Sequence, residues 1–153
     1  MLGFQMPVWG WAIMATVFLI PFAQMRLKRR SNRNRHVRSH PPMSDADFLA
    51  ALALPDPDAD TCLRLRKATA KALSVPIETL YPADAMLDLM QLGLDNAGWV
   101  EFMLAIEWEF EVGIDGEVFA QLLAPGLDSL EGVTFGDYVT CCVQHWDEIV
   151  TTD

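Results

Sequence analysis

The stretch GLDNAGWVEFMLAIEWEF, residues Gly93 to Phe110, sets a Gly-Leu-Asp turn ahead of a long run free of proline. From Asn96 onward, Trp99, Phe102, Met103, Ile106 and Phe110 recur at intervals of three and four and share one face. Glu101, Leu104, Trp108 and Glu111 lie roughly opposite. The spacing predicts an amphipathic helix over residues 96–111, with an acidic outer face that carries an aromatic ring. A second Gly-Leu-Asp opens GLDSLEG, Gly126 to Gly132, and puts Ser129 where the first copy has Asn96.

Working back toward the amino terminus, Cys62, Leu65, Ala68, Ala72 and Leu73 fall on one side of a predicted helix over residues 61–73, with Arg64, Lys67 and Lys71 on the other. Between it and Gly93 the two prolines Pro76 and Pro82 predict a long connection with a single turn of helix. Ser44 begins a short helix that has Asp45 and Asp47 in its first turn and stops at Pro55. Asp56, Asp58 and Asp60 alternate like a calcium loop, but Thr61 and Lys67 stand where an EF-hand needs glycine and a carboxylate. An acidic loop capping the next helix is the simpler reading. Toward the carboxyl terminus, a short helix is expected near residues 116–123 and a last one over 135–150, with Phe135, Val139, Cys142, Trp146 and Ile149 as its buried stripe. Nothing alternates convincingly, so residues 44–153 read as an all-α domain whose core spans 61–150.

The amino-terminal part differs in kind. Met6 to Ala23 holds no charge, and with Leu2 to Gln5 it is long enough, at ~1.5 Å per residue, to cross a ~30 Å hydrocarbon core. Trp9 and Trp11 suit an interfacial anchor, and Pro7 and Pro21 lie near the ends. Residues 1–25 are therefore expected to be a retained transmembrane anchor. Residues 26–43, with Arg26, Lys28, Arg29, Arg30, Arg33, Arg35 and Arg38, are expected to be a flexible basic juxtamembrane linker with affinity for anionic lipid. Because the positive charge follows the apolar run, the expected topology is a single pass of the cytoplasmic (inner) membrane, amino terminus outside and C-terminal domain in the cytoplasm. Cys62, Cys141 and Cys142 would then stay reduced. Cys141 and His145 lie one helical turn apart but lack further ligands at sensible spacing, so no metal is expected there.

Charge divides the chain. Residues 1–42 contain seven of the eleven basic side chains and no acidic one; residues 43–153 contain four basic and twenty-one acidic side chains, a net charge of −17. Such a body repels nucleic acid and suits basic protein partners.

Leu92-Gly93-Leu94-Asp95-Asn96-Ala97, then Val100-Glu101-Phe102, Ala105-Ile106-Glu107 and Glu109-Phe110, resemble the Leu-Gly-x-Asp-Ser-Leu signature and following helix of the acyl carrier protein family. Ile114-Asp115 and VTFGDYV, Val133 to Val139, resemble the starts of that family's third and fourth helices, and the likeness covers about Thr61 to Val150. The resemblance implies a four-helix carrier bundle whose second helix is read by partner enzymes, here through Glu101, Leu104, Glu107, Trp108 and Glu111. It also places Asn96 at the family's attachment serine. A carboxamide has no hydroxyl to attack the pyrophosphate of coenzyme A, so phosphopantetheine cannot be attached there, although Asn caps a helix about as well as Ser. Ser129 is closer in local sequence, yet only 24 residues follow it, too few for the family's remaining helices. A domain that carries no acyl chain needs no acyl cavity, and Trp99 is placed to fill it.

The expected function is a membrane-tethered, non-acylated carrier-like domain without catalytic residues or cofactor, which scaffolds or regulates a membrane-associated partner such as an envelope or lipid-related enzyme. Two alternatives compete: a working carrier modified at Ser129, and a small structural subunit of a membrane complex. Co-expression with a broad-range phosphopantetheinyl transferase is expected to leave the intact mass unchanged. A stoichiometric gain of the arm's mass, mapped to Ser129, would favour the working carrier.

Overall fold

A computed structural model describes residues 24, 26–52, 54, 58–93, 96–123 and 132–151, with the backbone alone for 96–99 and 120–123. Along the chain run α1 (residues 26–39), α2 (Asp45–Ala51), α3 (Ala59–Leu73), a 3-10 turn η1 (Ile77–Thr79), α4 (Met86–Gly93), α5 (Asn96–Phe110), α6 (Gly116–Leu123), α7 (Phe135–Gln144) and α8 (Trp146–Ile149). Two short strands, β1 (Gly113–Ile114) and β2 (Val150–Thr151), pair antiparallel, with Gly113 opposite Thr151.

The helix boundaries follow local chemistry. Ser44 accepts the Asp47 amide to start α2, and Asp58 accepts the Thr61 amide to start α3. Thr134 and Asp137 cap α7 reciprocally. Ser74, in the left-handed region at φ 54°, ends α3 and turns the chain toward Pro76. The connection read as nearly helix-free contains α4, in which Met86, Leu89 and Leu92 point inward. The last helix breaks at His145 instead of running to Val150, which joins β2.

The core lies between α3 and α5 and is closed by α7. Cys62, Leu65, Ala68 and Leu73 of α3 meet Phe102 and Ile106 of α5, and an aromatic chain runs Phe48, Phe135, Tyr138, Phe102, Phe119, with neighbouring ring centroids 5.5 to 6.5 Å apart. Arg66, unremarked in the helical stripe of α3, is fully buried within this core. Its Nε and Nη2 donate to the Leu80 carbonyl at 3.2 and 3.0 Å, Nη2 to the Met43 carbonyl at 3.2 Å and Nη1 to Asp45 Oδ1 at 2.8 Å, while the guanidinium lies 4.3 Å over the Phe48 ring.

Three expectations need correction. Among the described residues no helix is long and apolar enough to cross a membrane, and the anchor placed at residues 1–25 lies, but for residue 24, outside them. The single-pass fold and the inner-membrane location are therefore withdrawn. The basic stretch 26–43 is no flexible linker: residues 26–39 form α1, in which Asn32 and Arg33 donate to the Gln91 and Leu92 carbonyls at the end of α4. Arg33 is thereby committed to the protein and not to lipid. Finally, a four-helix bundle is too small a description, since α1, α2, α4 and the β1–β2 pair add to the frame, α2 and α4 through buried apolar residues and α1 through polar contacts.

Arg66→Met keeps an apolar stem but removes every donor to the Leu80 and Met43 carbonyls, so it is expected to cost about 3 kcal/mol in urea melts of the full chain. Asp45→Asn, at a carboxylate 59% exposed, is expected to cost about 1 kcal/mol or less.

Candidate functional site

The outer face of α5 is oriented from its two ends. Near its middle, Phe102 and Ile106 are fully buried, which turns the opposite side to solvent. At the carboxyl end the basic side of α3 takes hold: Arg64 donates to the Glu109 carbonyl and lies 4.2 Å over the Phe110 ring, and Lys67 Nζ meets Glu109 Oε1 at 2.7 Å. Cations at a helix carboxyl terminus complement both its free carbonyls and its dipole. Glu111, at φ 56°, leaves the helix in the left-handed region and sends the chain into β1.

Five residues were expected to read a partner. Glu101, Leu104, Trp108 and Glu111 are exposed, as anticipated. Glu107 is not part of that surface: it is half-buried, and its Oε1 accepts the Ile114 amide at 3.0 Å, so it fastens β1 to α5. Val100, absent from the expected set, joins instead. Val100, Leu104 and Trp108 stand one turn apart with exposures of 56%, 52% and 79%, an apolar stripe flanked by Glu101 and Glu111. The Lys71 ammonium lies 5.8 Å from the Trp108 ring centroid and steadies it without covering it.

Asn96 is the first residue of α5. The side chains of Asn96 and Trp99, and the whole of Ser129, lie outside the described residues, which leaves the filled acyl cavity and the alternative serine as expectations.

The thiols offer no ready nucleophile. Burial pushes Cys142 and Cys141 above the usual thiol range, and burial together with Asp58 does the same at Cys62. His145 turns to Glu148, at 2.9 Å, and not to a shared ligand with Cys141. The Tyr138 hydroxyl is buried beside the Cys142 thiol, and burial raises its pKa strongly, so it stays a phenol. One group escaped the sequence reading. His36 of α1, His40 just after it and Asp84 before α4 each bring a ligand atom within 4.8 Å of the others. The signal was there in the i, i+4 spacing of the two histidines; reading 26–43 as a linker hid it.

Comparison of the chain with protein-family models, with curated proteins and with solved structures finds no match.

Thermal melts separate the carboxylate that holds the fold from the ring that does not. Trp108→Ala is expected to change stability by less than about 0.5 kcal/mol, whereas Glu107→Ala, which strands the Ile114 amide, is expected to cost about 1 to 2 kcal/mol.

Proposed function

We propose that the helical body is a non-acylated interaction domain of acyl-carrier type, which docks a basic protein partner on the outer face of α5 and performs no chemistry itself. The observation that carries this reading is the stripe Val100, Leu104 and Trp108, three large apolar side chains open to solvent on consecutive turns. Folding gains nothing from leaving such a stripe uncovered, and aromatic residues set among polar ones are the usual anchors of protein interfaces.

Charge narrows the partner. All four cations of residues 43–153 are engaged by the domain: Arg64, Lys67 and Lys71 at the end of α5, and Arg66 in the core. Glu101 and Glu111 border the stripe in a chain of net charge −10. A helix with an apolar ridge and flanking Lys or Arg complements it in both shape and sign. With Asn96 at the family's attachment position, the domain would influence an enzyme by binding it, as scaffold or regulator, and not by delivering a cargo.

The test is affinity capture with the full chain, identification of the retained protein, and titration of that purified protein against parent and variants. Trp108→Ala is expected to weaken binding about 30-fold, the equivalent of ~2 kcal/mol for an interface anchor. Added salt is expected to slow association. Equal affinity for the parent and for Trp108→Ala would move the docking surface off α5.

A further inference from the structure

Two imidazoles and a carboxylate converge where α1 meets the loop ahead of α4. The protonation of each ring follows from what it touches. His36 Nε2 lies 2.9 Å from the Thr79 carbonyl, and a carbonyl oxygen only accepts, so this nitrogen holds a proton and Nδ1 is left with its lone pair. His40 Nδ1 lies 2.8 Å from the His36 carbonyl, so Nδ1 holds the proton and Nε2 is left bare. That bare nitrogen faces Asp84 Oδ1 at 2.9 Å. A lone pair and a carboxylate oxygen at this distance need a positive charge between them.

A metal ion can supply it, and the His36 ring, stacked on His40 with centroids 4.0 Å apart, brings a second imidazole to the same place. The carboxylate is built in as well. Asp84 Oδ2 accepts the Tyr81 amide at 2.8 Å, and the Asp84 carbonyl accepts the Phe135 amide at 2.8 Å, so its side chain is aimed before any ligand arrives. Metal-binding histidines characteristically donate their second ring N–H to a carbonyl or carboxylate, which is the arrangement at both rings here.

Ser39 offers a competing reading, because its Oγ lies 3.0 Å from His40 Nδ1 and completes a serine–histidine–aspartate line. The hydroxyl, however, gives its proton to the His36 carbonyl at 2.9 Å, and the His40 nitrogen it meets is the protonated one. It is a helix-end contact and not an activated nucleophile.

We propose that His36, His40 and Asp84 bind one divalent metal ion of the zinc class, which fastens α1 to the Tyr81–Asp84 turn. Two imidazoles and one carboxylate suit Zn²⁺ or Co²⁺ and leave a fourth position for water or a partner's ligand. The ion replaces the charge that a proton would otherwise provide between His40 and Asp84, and it joins elements that the sequence holds 44 residues apart.

The test is titration of the metal-free full chain with Zn²⁺ by calorimetry and with Co²⁺ by visible absorption. The parent is expected to bind one equivalent, to give the absorption of a low-coordinate Co²⁺ site, and to melt about 5 to 10 °C higher at a hundredfold excess of Zn²⁺ over Kd, reversed by chelator. His36→Gln, His40→Gln and Asp84→Asn are each expected to weaken binding about 100-fold or more, with circular dichroism confirming that each variant is folded. Cys141→Ser is expected to bind as the parent does. No saturable binding by the parent, undiminished binding by the folded Asp84→Asn and His36→Gln variants, or loss of binding in Cys141→Ser would each overturn the assignment.

Discussion

Arg66 is the cation on which the arrangement of this protein turns. It sits at the centre of α3 with its guanidinium closed off from solvent, holding the Met43 and Leu80 carbonyls and the Asp45 carboxylate, and resting on Phe48. A buried guanidinium is tolerated only when its charge is paired and its donors are filled, and the planar fork of arginine can reach several acceptors at once. Those acceptors come from two separate parts of the chain, the entry to α2 and the exit of η1. The backbone continues the join, with the Met43 amide donating to the Glu78 carbonyl at 2.8 Å.

From that junction the rest of the polar framework extends. Fixing Leu80 also fixes Thr79 and Tyr81, and with them the turn that aims Asp84. The Pro82 carbonyl accepts the Gly136 amide at 2.8 Å, with Cα and backbone so near that a Cβ on Gly136 would crowd Pro82 at 3.0 to 3.4 Å. The loop ahead of α4 is thus held from both sides, by α3 through Arg66 and by the start of α7. It presents α1 with carbonyls and a carboxylate at fixed positions. Apolar burial supplies most of the driving force in the α3–α5–α7 core, to which α2 adds Phe48 and Leu52, while α1 is held against it by polar contacts.

The same distribution of charge separates two surfaces. The basic side of α3 is taken up by the end of α5, and the arginine-rich α1 leans on α4. The outer face of α5 is left as an apolar stripe between carboxylates, a surface whose complement is basic and apolar. The histidine–aspartate group belongs to the other join, between α1 and the η1–α4 loop. The proposed docking face and the proposed metal site therefore lie on different elements and are open to separate substitution.

Most helices were legible in the sequence because their cause is local. Apolar residues at helical spacing marked α3, α5 and α7, and Ser44 marked the start of α2, since a cap acts within one turn. The exposure of Leu104 and Trp108 was legible for the same reason: once Phe102 and Ile106 face inward, helical geometry sends those two outward. The sequence also showed that Asn96 cannot carry a phosphate ester, since that depends on the side chain alone. Other features had no local cause. Glu107 is on the outer half of the helix by spacing, yet it turns to the Ile114 amide because the chain doubles back after Glu111. Arg66 reads as one more surface cation until the Met43 and Leu80 carbonyls are brought to it. Residues 26–39 lack an apolar stripe, so their order depends on acceptors at the end of α4 and at the end of η1, as many as 59 residues away. Periodicity and capping act over a few residues and can be read from the sequence, whereas the filling of a buried donor or the convergence of three ligands requires partners that only the folded chain brings together.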